Sequence, residues 1–125
     1  MRNRCLASFQ KLRKIQESYG GYVVCISCGK ILPLKDAEGG HFIPRRFRAT
    51  EVERHNVYPQ CHECNQHKGG NVKAYRQALV EKVGLKEVQR LESLKHTYTK
   101  RTSADYTALK RQFDAEIRKL EKELV

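Results

Sequence analysis

No stretch of apolar residues approaches the roughly 20 that a membrane-crossing helix requires, and the start, Met1-Arg2-Asn3-Arg4, is not followed by the apolar core of a secretory signal. Both absences point away from a membrane or exported protein, so the expected location is the cytoplasm. Low-complexity segments are missing too, and no internal repeat occurs beyond a doubled C-x-x-C. Acidic residues are scarce: 14 Asp and Glu stand against 25 Lys and Arg, for a formal net charge of +11 and a pI near 9.6. That excess passes what solubility requires, so a polyanion is the expected partner. At 125 residues there is room for a single modest domain and not for two independent cores.

The charge is unevenly spread, at +4 over residues 1–24, +2 over 25–71 and +5 over 72–125. The centre must therefore do something other than attract. After residue 71, 13 cations face 8 acids, which favours contacts with a DNA backbone, and such contacts carry no base sequence.

Apolar residues at Cys5 or Leu6, Phe9, Leu12, Ile15 and Tyr19 follow the spacing of one helical face, and Gly20-Gly21 should end that helix. Tyr22 to Ile26 and Ile31 to Leu34 suit short strands around a knuckle turn, the second interrupted at Pro33. Irregular chain should follow from Asp36 to Tyr58, with short strands near His41 to Ile43 and Asn56 to Tyr58. Val72, Tyr75, Leu79 and Val83 share a helical face, as do Leu85, Val88, Leu91 and Leu94 after a break at Gly84. A final helix, capped by Ser103, carries the stripe Tyr106, Leu109, Phe113, Ile117, Leu120 and Leu124. Core packing is the commoner use of such a stripe, and a seam between two copies is the alternative. The resulting plan is one domain over 1–125: a helix at 1–20, a stapled core at 21–83 and helices at 84–125.

Five cysteines in a reducing compartment, an odd number, argue against a closed disulfide set. Cys25-Ile-Ser-Cys28 and Cys61-His-Glu-Cys64 form two C-x-x-C pairs separated by 32 residues. Each pair fits a knuckle that aims two thiolates at one ion, and four thiolates close a tetrahedral, structural Zn²⁺ site. Metal binding would then be inseparable from folding. Cys5, on the apolar face of the first helix, suits the core better than a fifth ligand, and His62 is poorly placed to compete with the cysteines flanking it.

Between the knuckles lies Glu38-Gly39-Gly40-His41-Phe42-Ile43-Pro44-Arg45-Arg46, and the second knuckle runs into Asn65-Gln66-His67-Lys68-Gly69-Gly70-Asn71. A shared metal would bring these stretches together. Phosphodiester hydrolysis needs a base, a divalent cation and positive groups that hold the strand. His41, flanked by glycines that permit close approach to a phosphate, is the candidate base, and Asn56 a candidate to orient its ring. Glu38 and Asn65 offer hard oxygen donors for Mg²⁺ or Mn²⁺, although an asparagine at this point equally suits a helix cap. Arg45, Arg46, Arg48 and Lys68 are candidate DNA contacts. His67 is open between metal, phosphate and surface; Gly69-Gly70-Asn71 between a turn and a phosphate-binding loop; His55 and His96 suit ordinary surface roles.

The order Cys-x-x-Cys, Gly-His-Phe, Asn-Val-x-Pro-Gln-Cys-x-x-Cys-Asn, then Gly-Asn and Tyr, from Cys25 to Tyr75, resembles the NinG (Rap) recombination endonucleases of lambdoid phages. The paired knuckles, the acid three residues before the histidine and the asparagine after the last cysteine are also similar to endonuclease-seven type Holliday-junction resolvases. About half the chain is covered. The resemblance implies an α+β fold, a zinc-stapled ββα-metal (HNH) core framed by N- and C-terminal helices, and a DNA endonuclease cutting branched recombination intermediates in a bacterial host cell. It implies zinc at Cys25, Cys28, Cys61 and Cys64, a catalytic divalent ion at Glu38 and Asn65, His41 as general base and Asn56 as the residue orienting it. A junction-cutting enzyme suggests a homodimer. The pattern departs in having Glu38 for the usual aspartate, Gly40 where many HNH sites have an acid, and Glu51 after Ala49-Thr50 where an arginine is expected. The rival readings are a non-catalytic zinc module that binds nucleic acid and an HNH nickase acting on ordinary duplex.

Overall fold

Helix α1 (Arg2–Gln16) opens the fold in a computed structural model that describes residues 1–123. A hairpin of β1 (Tyr22–Val24) and β2 (Ile31–Pro33) follows, then strands β3 (Glu38–His41) and β4 (Val57–Gln60). Helices α2 (Val72–Val83), α3 (Leu85–Leu94) and α4 (Ser103–Glu123) complete a mixed α and β architecture. A single turn of π-helix, Glu63–His67, joins β4 to α2.

Helix α1 is buried on two sides, which explains its place at the centre of the packing. Cys5, Phe9, Leu12 and Ile15 form one core with Tyr106, Phe113 and Ile117 of α4, the Phe9 and Phe113 rings lying 4.9 Å apart. Burial of each large apolar side chain here contributes about 1.5–3 kcal/mol. Ser8 Oγ donates to Asp114 Oδ1 at 2.7 Å on the same seam. The α4 stripe is thus core packing, with its partner surface inside the chain; Leu124 lies outside the described residues.

On its other side α1 inserts a wholly buried Arg13. Its Nε donates to the carbonyls of Arg54 and Val57 at 2.9 and 3.0 Å, Nη1 to Gln16 and Nη2 to Glu17, and its guanidinium lies over the Tyr58 ring. A buried cation is tolerated when its donors are satisfied. Arg13 thereby stitches α1 to β4.

Strands β3 and β4 pair antiparallel, with Glu38 opposite Gln60 and His41 opposite Val57. Phe42, Ile43 and Tyr58 then pack against Tyr75 and Leu79 of α2 and Val88 and Leu91 of α3. Gly84, at φ +92°, makes the bend between those helices. In the hairpin, Val23 and Leu32 turn inward onto Cys25, Cys61 and Cys64.

Several expected boundaries move. Helix α1 stops at Gln16, not at the glycines, because Ser18 folds back on the Ile15 carbonyl with both its N–H and its Oγ. Gly20-Gly21 instead form a two-residue turn at φ +60° and +84°, across which Tyr19 and Tyr22 exchange backbone bonds. The strands expected at 41–43 and 56–58 lie at Glu38–His41 and Val57–Gln60, since the glycines at 39 and 40 are buried strand residues. The α4 cap is Thr102, not Ser103: Thr102 Oγ1 accepts from Asp105 N–H and Asp105 Oδ2 accepts from Thr102 N–H, a reciprocal capping box.

Candidate metal centre and adjoining cleft

The first cysteine pair sits in a tight turn closing the β1–β2 hairpin, where Cys25 N–H donates to Lys30 O and Gly29 N–H, at φ +78°, donates to Cys25 O. The second pair brackets the start of the π-turn after β4. Packing of these turns leaves the four sulfurs of Cys25, Cys28, Cys61 and Cys64 within 4.8 Å of one another. Cys28 and Cys61 Sγ are 3.8 Å apart, the edge expected of a tetrahedron with Zn–S distances of about 2.3 Å and far beyond a disulfide bond. Burial pushes the Cys64 thiol up to about 12 and raises Cys28. At Cys25 burial is outweighed by hydrogen bonds from the backbones of Cys28, Cys61 and Ser27, and its thiol falls to about 7. Crowded thiols of this kind keep protons that a dication displaces. Size and donor set therefore fit a zinc ion, and Asn71 Nδ2 and Cys64 N–H, each 3.4 Å from a cysteine sulfur, would support the thiolates. Cys5 lies apart, wholly buried between α1 and α4.

A second layer locks the knuckles together. Gln60 Nε2 donates to Gly70 O at 2.7 Å and to Ser27 Oγ at 2.9 Å, while Ile26 N–H donates to Pro59 O. Gly69-Gly70-Asn71 is a turn: Gly70 and Asn71 spend their N–H groups on Cys64 O and Lys68 O, and Asn71, at φ +45°, accepts from Tyr75 N–H. Tyr75 Oη reaches Gly40 O at 2.8 Å, tying α2 to β3.

His41 ends β3, and its Nε2 lies 2.9 Å from the Glu51 backbone oxygen. A carbonyl only accepts, so Nε2 carries the hydrogen and Nδ1 of the neutral ring keeps a lone pair. Burial lowers the His41 pKa below the usual imidazole range; the Glu51 bond opposes this, and the charges of Arg45 and Arg2 add to the lowering. An open cleft of about 310 Å³ is lined by His41 together with Gln10, Arg45, Asn65, Gln66 and Gly70. Asn56, the candidate for orienting His41, does something else. Its Oδ1 accepts from Ile43 N–H and its Nδ2 donates to Ile43 O and Thr50 O, so it braces the loop after His41 while Glu51 holds the ring.

Glu38 gathers the remaining candidates. Its Oε1 accepts from Asn65 Nδ2 at 2.7 Å and Gln66 Nε2 at 2.9 Å, and its Oε2 meets His62 Nδ1 at 2.6 Å. Burial would raise the Glu38 carboxyl, but the bonds from Gln66, Asn65 and His62 win and bring it to about 2. Glu38 and Asn65 line a cleft of about 320 Å³ that shares Gln10, Gly39, Asn65 and Gln66 with the His41 cleft. The three candidates thus border one continuous depression, with Asn65 as the bridge.

The other candidates scatter. His67 is exposed, edge-on to the His62 ring at 5.2 Å, and does not line the His41 cleft. Arg45 lines that cleft, Arg46 lies over the Phe47 ring, and Lys68 is exposed and does not line the cleft. Arg48 donates to Tyr106 Oη at 3.2 Å, toward α4. The glycines at 39 and 40, read as making room for a phosphate, make room instead for α1 and for Gln60. Sequence reasoning missed the supporting residues Arg13, Glu51, Gln60 and Tyr75. Glu51 links α1 to α4: its buried carboxylate takes Arg2 Nε, Arg101 Nη1 and Tyr106 Oη at 2.9, 2.9 and 2.6 Å.

Two small sheets joined at a cluster of four cysteines that could hold a metal ion, and framed by helices, define a mixed α and β protein. The family described as "Bacteriophage Lambda NinG protein" matches residues 7–123, and the chain belongs to it. The chain is 30% identical over 96 residues to protein ninG of Salmonella phage P22 and 29% identical over 96 residues to protein ninG of Escherichia phage lambda. Those alignments cover 77% of this chain and 47% of each phage protein, so the chain spans about half the length of these relatives. A CRISPR-associated endonuclease Cas9 of Corynebacterium diphtheriae is 31% identical over 77 residues, 60% of this chain and 7% of that protein. No solved structure matches.

Proposed function

We propose that this NinG-family chain is an HNH-class (ββα-metal) endonuclease that hydrolyses DNA phosphodiesters with one divalent cation per site and acts on branched recombination intermediates. The observation that carries the reading is the shared depression of His41, Glu38 and Asn65, built by β3, β4 and the start of the π-turn that leads into α2. Similarity to a stretch of a protein named an endonuclease supports it further.

The chemistry follows from the residues present. With Nε2 committed to Glu51 O, His41 presents Nδ1 to take a proton from water. Glu38, held ionised, and the Asn65 amide oxygen make a hard donor pair that fits Mg²⁺ or Mn²⁺. Such an ion would supply charge stabilisation at the phosphate and the leaving oxygen. Arg45, on the rim of the His41 cleft, holds the strand by its phosphates. Backbone contacts without base readout suit a substrate recognised by shape. Two cuts across a junction call for two sites, which a two-fold pair of chains would provide.

The test is cleavage of synthetic four-way, flap and linear DNA with Mg²⁺ or Mn²⁺ by the parent chain and by His41→Ala. The expected result is cutting of branched substrates that His41→Ala abolishes while zinc content and fold are retained. Equal cutting of linear and branched DNA would favour a duplex nickase. No cutting, with DNA binding unchanged in His41→Ala, would leave a zinc-bound nucleic-acid module. Sedimentation at micromolar concentration giving 14.5 kDa counts against the dimer.

A further inference from the structure

Three depressions adjoin along α1. The His41 and Glu38 clefts merge through Gln10, Gly39, Asn65 and Gln66. The Glu38 cleft in turn shares Lys11 and Lys14 with a third, of about 370 Å³, which is floored by Ile15 and Leu34 and flanked by Lys35 and Glu121. Together they form one groove. Its direction is set by the helix lying along the chain segment of β3: Gln10 Nε2 donates to Gly39 O and Lys14 Nζ to Ala37 O, each at 3.0 Å. One turn along α1, about 5.4 Å, therefore leads away from His41 toward Lys35.

The charge follows the groove. Helix α1 carries Arg2, Arg4, Lys11, Arg13 and Lys14 and no acid. Among the described residues Arg4, Lys14 and Lys35 make no ion pair, and Lys11 meets only the exposed Glu121, at 3.4 Å. On the later helices Arg76, Lys82, Arg90 and Lys110 pair with carboxylates, while Lys73, Lys86, Arg111, Arg118, Lys119 and Lys122 make no ion pair among the described residues but line none of these three depressions. Ala7, lining the middle of the groove, leaves room for a backbone to lie close to the helix.

We infer that this groove is the track for the sugar–phosphate backbone of the DNA strand being cut, with Lys11, Lys14 and Lys35 holding phosphates on one side of the site and Arg45 on the other. The identity of the strand rests on the nuclease reading; the DNA contact itself does not. Lys14 also anchors the helix, so Lys11 and Lys35 are the positions to test.

Fluorescence anisotropy with labelled single-stranded and branched oligonucleotides, over a salt series without Mg²⁺, compares zinc-loaded full-length His41→Ala with the same chain carrying Lys11→Gln and Lys35→Gln. Loss of two phosphate contacts should flatten the slope of log affinity against log salt by about 1.4–1.8 and weaken low-salt binding at least tenfold. A control pair, Lys86→Gln with Lys119→Gln, lies outside the groove and should keep the parental slope. Zinc content and circular dichroism confirm that each variant is folded. An unchanged slope in the groove variant, or an equal drop in the control, overturns the track. If the groove substitutions, made in a chain that keeps His41, leave binding and cutting as in the parent, the nuclease stands and the track falls. If the slope drops as expected but the parent chain never cuts, the track stands and the nuclease falls.

Discussion

Gln60 rests its side-chain amide directly on the α-carbon of Gly40: a Cβ built at that glycine would lie 1.6 Å from Gln60 Oε1. The same amide spans the two knuckles through Ser27 and Gly70, so one methyl group at Gly40 would disturb the sheet and the metal site together. Overfilled cores typically lose about 1–3 kcal/mol, and Gly40→Ala should lose at least about 2 kcal/mol in urea unfolding, in line with that range. Adding Gln60→Ala should restore part of the loss, since the clash goes with the longer side chain. Strict additivity of the two substitutions would show that the contact is not what constrains Gly40.

Metal removal acts on the same region. Structural zinc contributes about 10–16 kcal/mol of apparent binding energy in small zinc folds, comparable with the whole stability of a typical domain. The parent chain should carry one zinc ion, and Cys61→Ser, or treatment of the parent with a strong chelator, should abolish both that zinc and cooperative thermal unfolding. Zinc binding should also release protons, because burial and crowding keep Cys64 and Cys28 protonated without a cation. A metal-free chain with an unchanged melting curve would remove the structural role.

The proposed cleavage should depend on pH with a definite sign. Only neutral His41 can accept a proton, and burial depresses its pKa, so the midpoint of the acid limb should lie below the ordinary imidazole value of about 6.5. The same depression means that an unfolded chain takes up this proton first on acidification. The contribution of His41 to stability is therefore present above that value and lost as pH falls through the folded pKa. An acid limb in the rate profile lying well above 6.5 would contradict the burial of the ring.

Glu51 joins the ring of His41 to α1 and α4. Its backbone oxygen receives the imidazole, and its wholly buried carboxylate receives Arg2, Arg101 and Tyr106. Glu51→Ala leaves those donors without their acceptor and should destabilise the fold by about 3–5 kcal/mol, measured by urea unfolding. With the carbonyl no longer held in place, the residual folded chain should also show a shifted acid limb in the pH–rate profile of the proposed cleavage. A loss of stability with an unmoved limb would assign Glu51 to packing alone.

The residues that were legible in advance owe their signal to local spacing. The two C-x-x-C pairs, the break at Gly84 and the apolar stripe of α4 all report on neighbours one or two turns away, and each is found where expected. Arg13 and Glu51 carried no such signal. The partners that bury them, Arg54 and Val57 for Arg13 and Tyr106 for Glu51, lie 41 to 55 residues away, and a buried ion looks in sequence like a solvated one. The glycines at 39 and 40 misled for a related reason, because glycine marks close approach as readily as a loop, and what approaches here is Gln10 and Gln60. Asn56 was read as orienting His41, and the bonds of its amide to Ile43 and Thr50 instead depend on a loop path that no periodicity encodes.

The Phe9–Phe113 stack has a bearing on how the chain is made. A ribosome delivers Phe9 about a hundred residues ahead of its partner, an interval of roughly 5–20 s at usual elongation rates. Throughout that time the first helix can bury its apolar side only in part, against Leu34, Val52 and Val57, and lacks Tyr106, Phe113 and Ile117. Chaperone binding to nascent chains should accordingly concentrate on Cys5 to Ile15 and end once Phe113 has emerged and packed against Phe9.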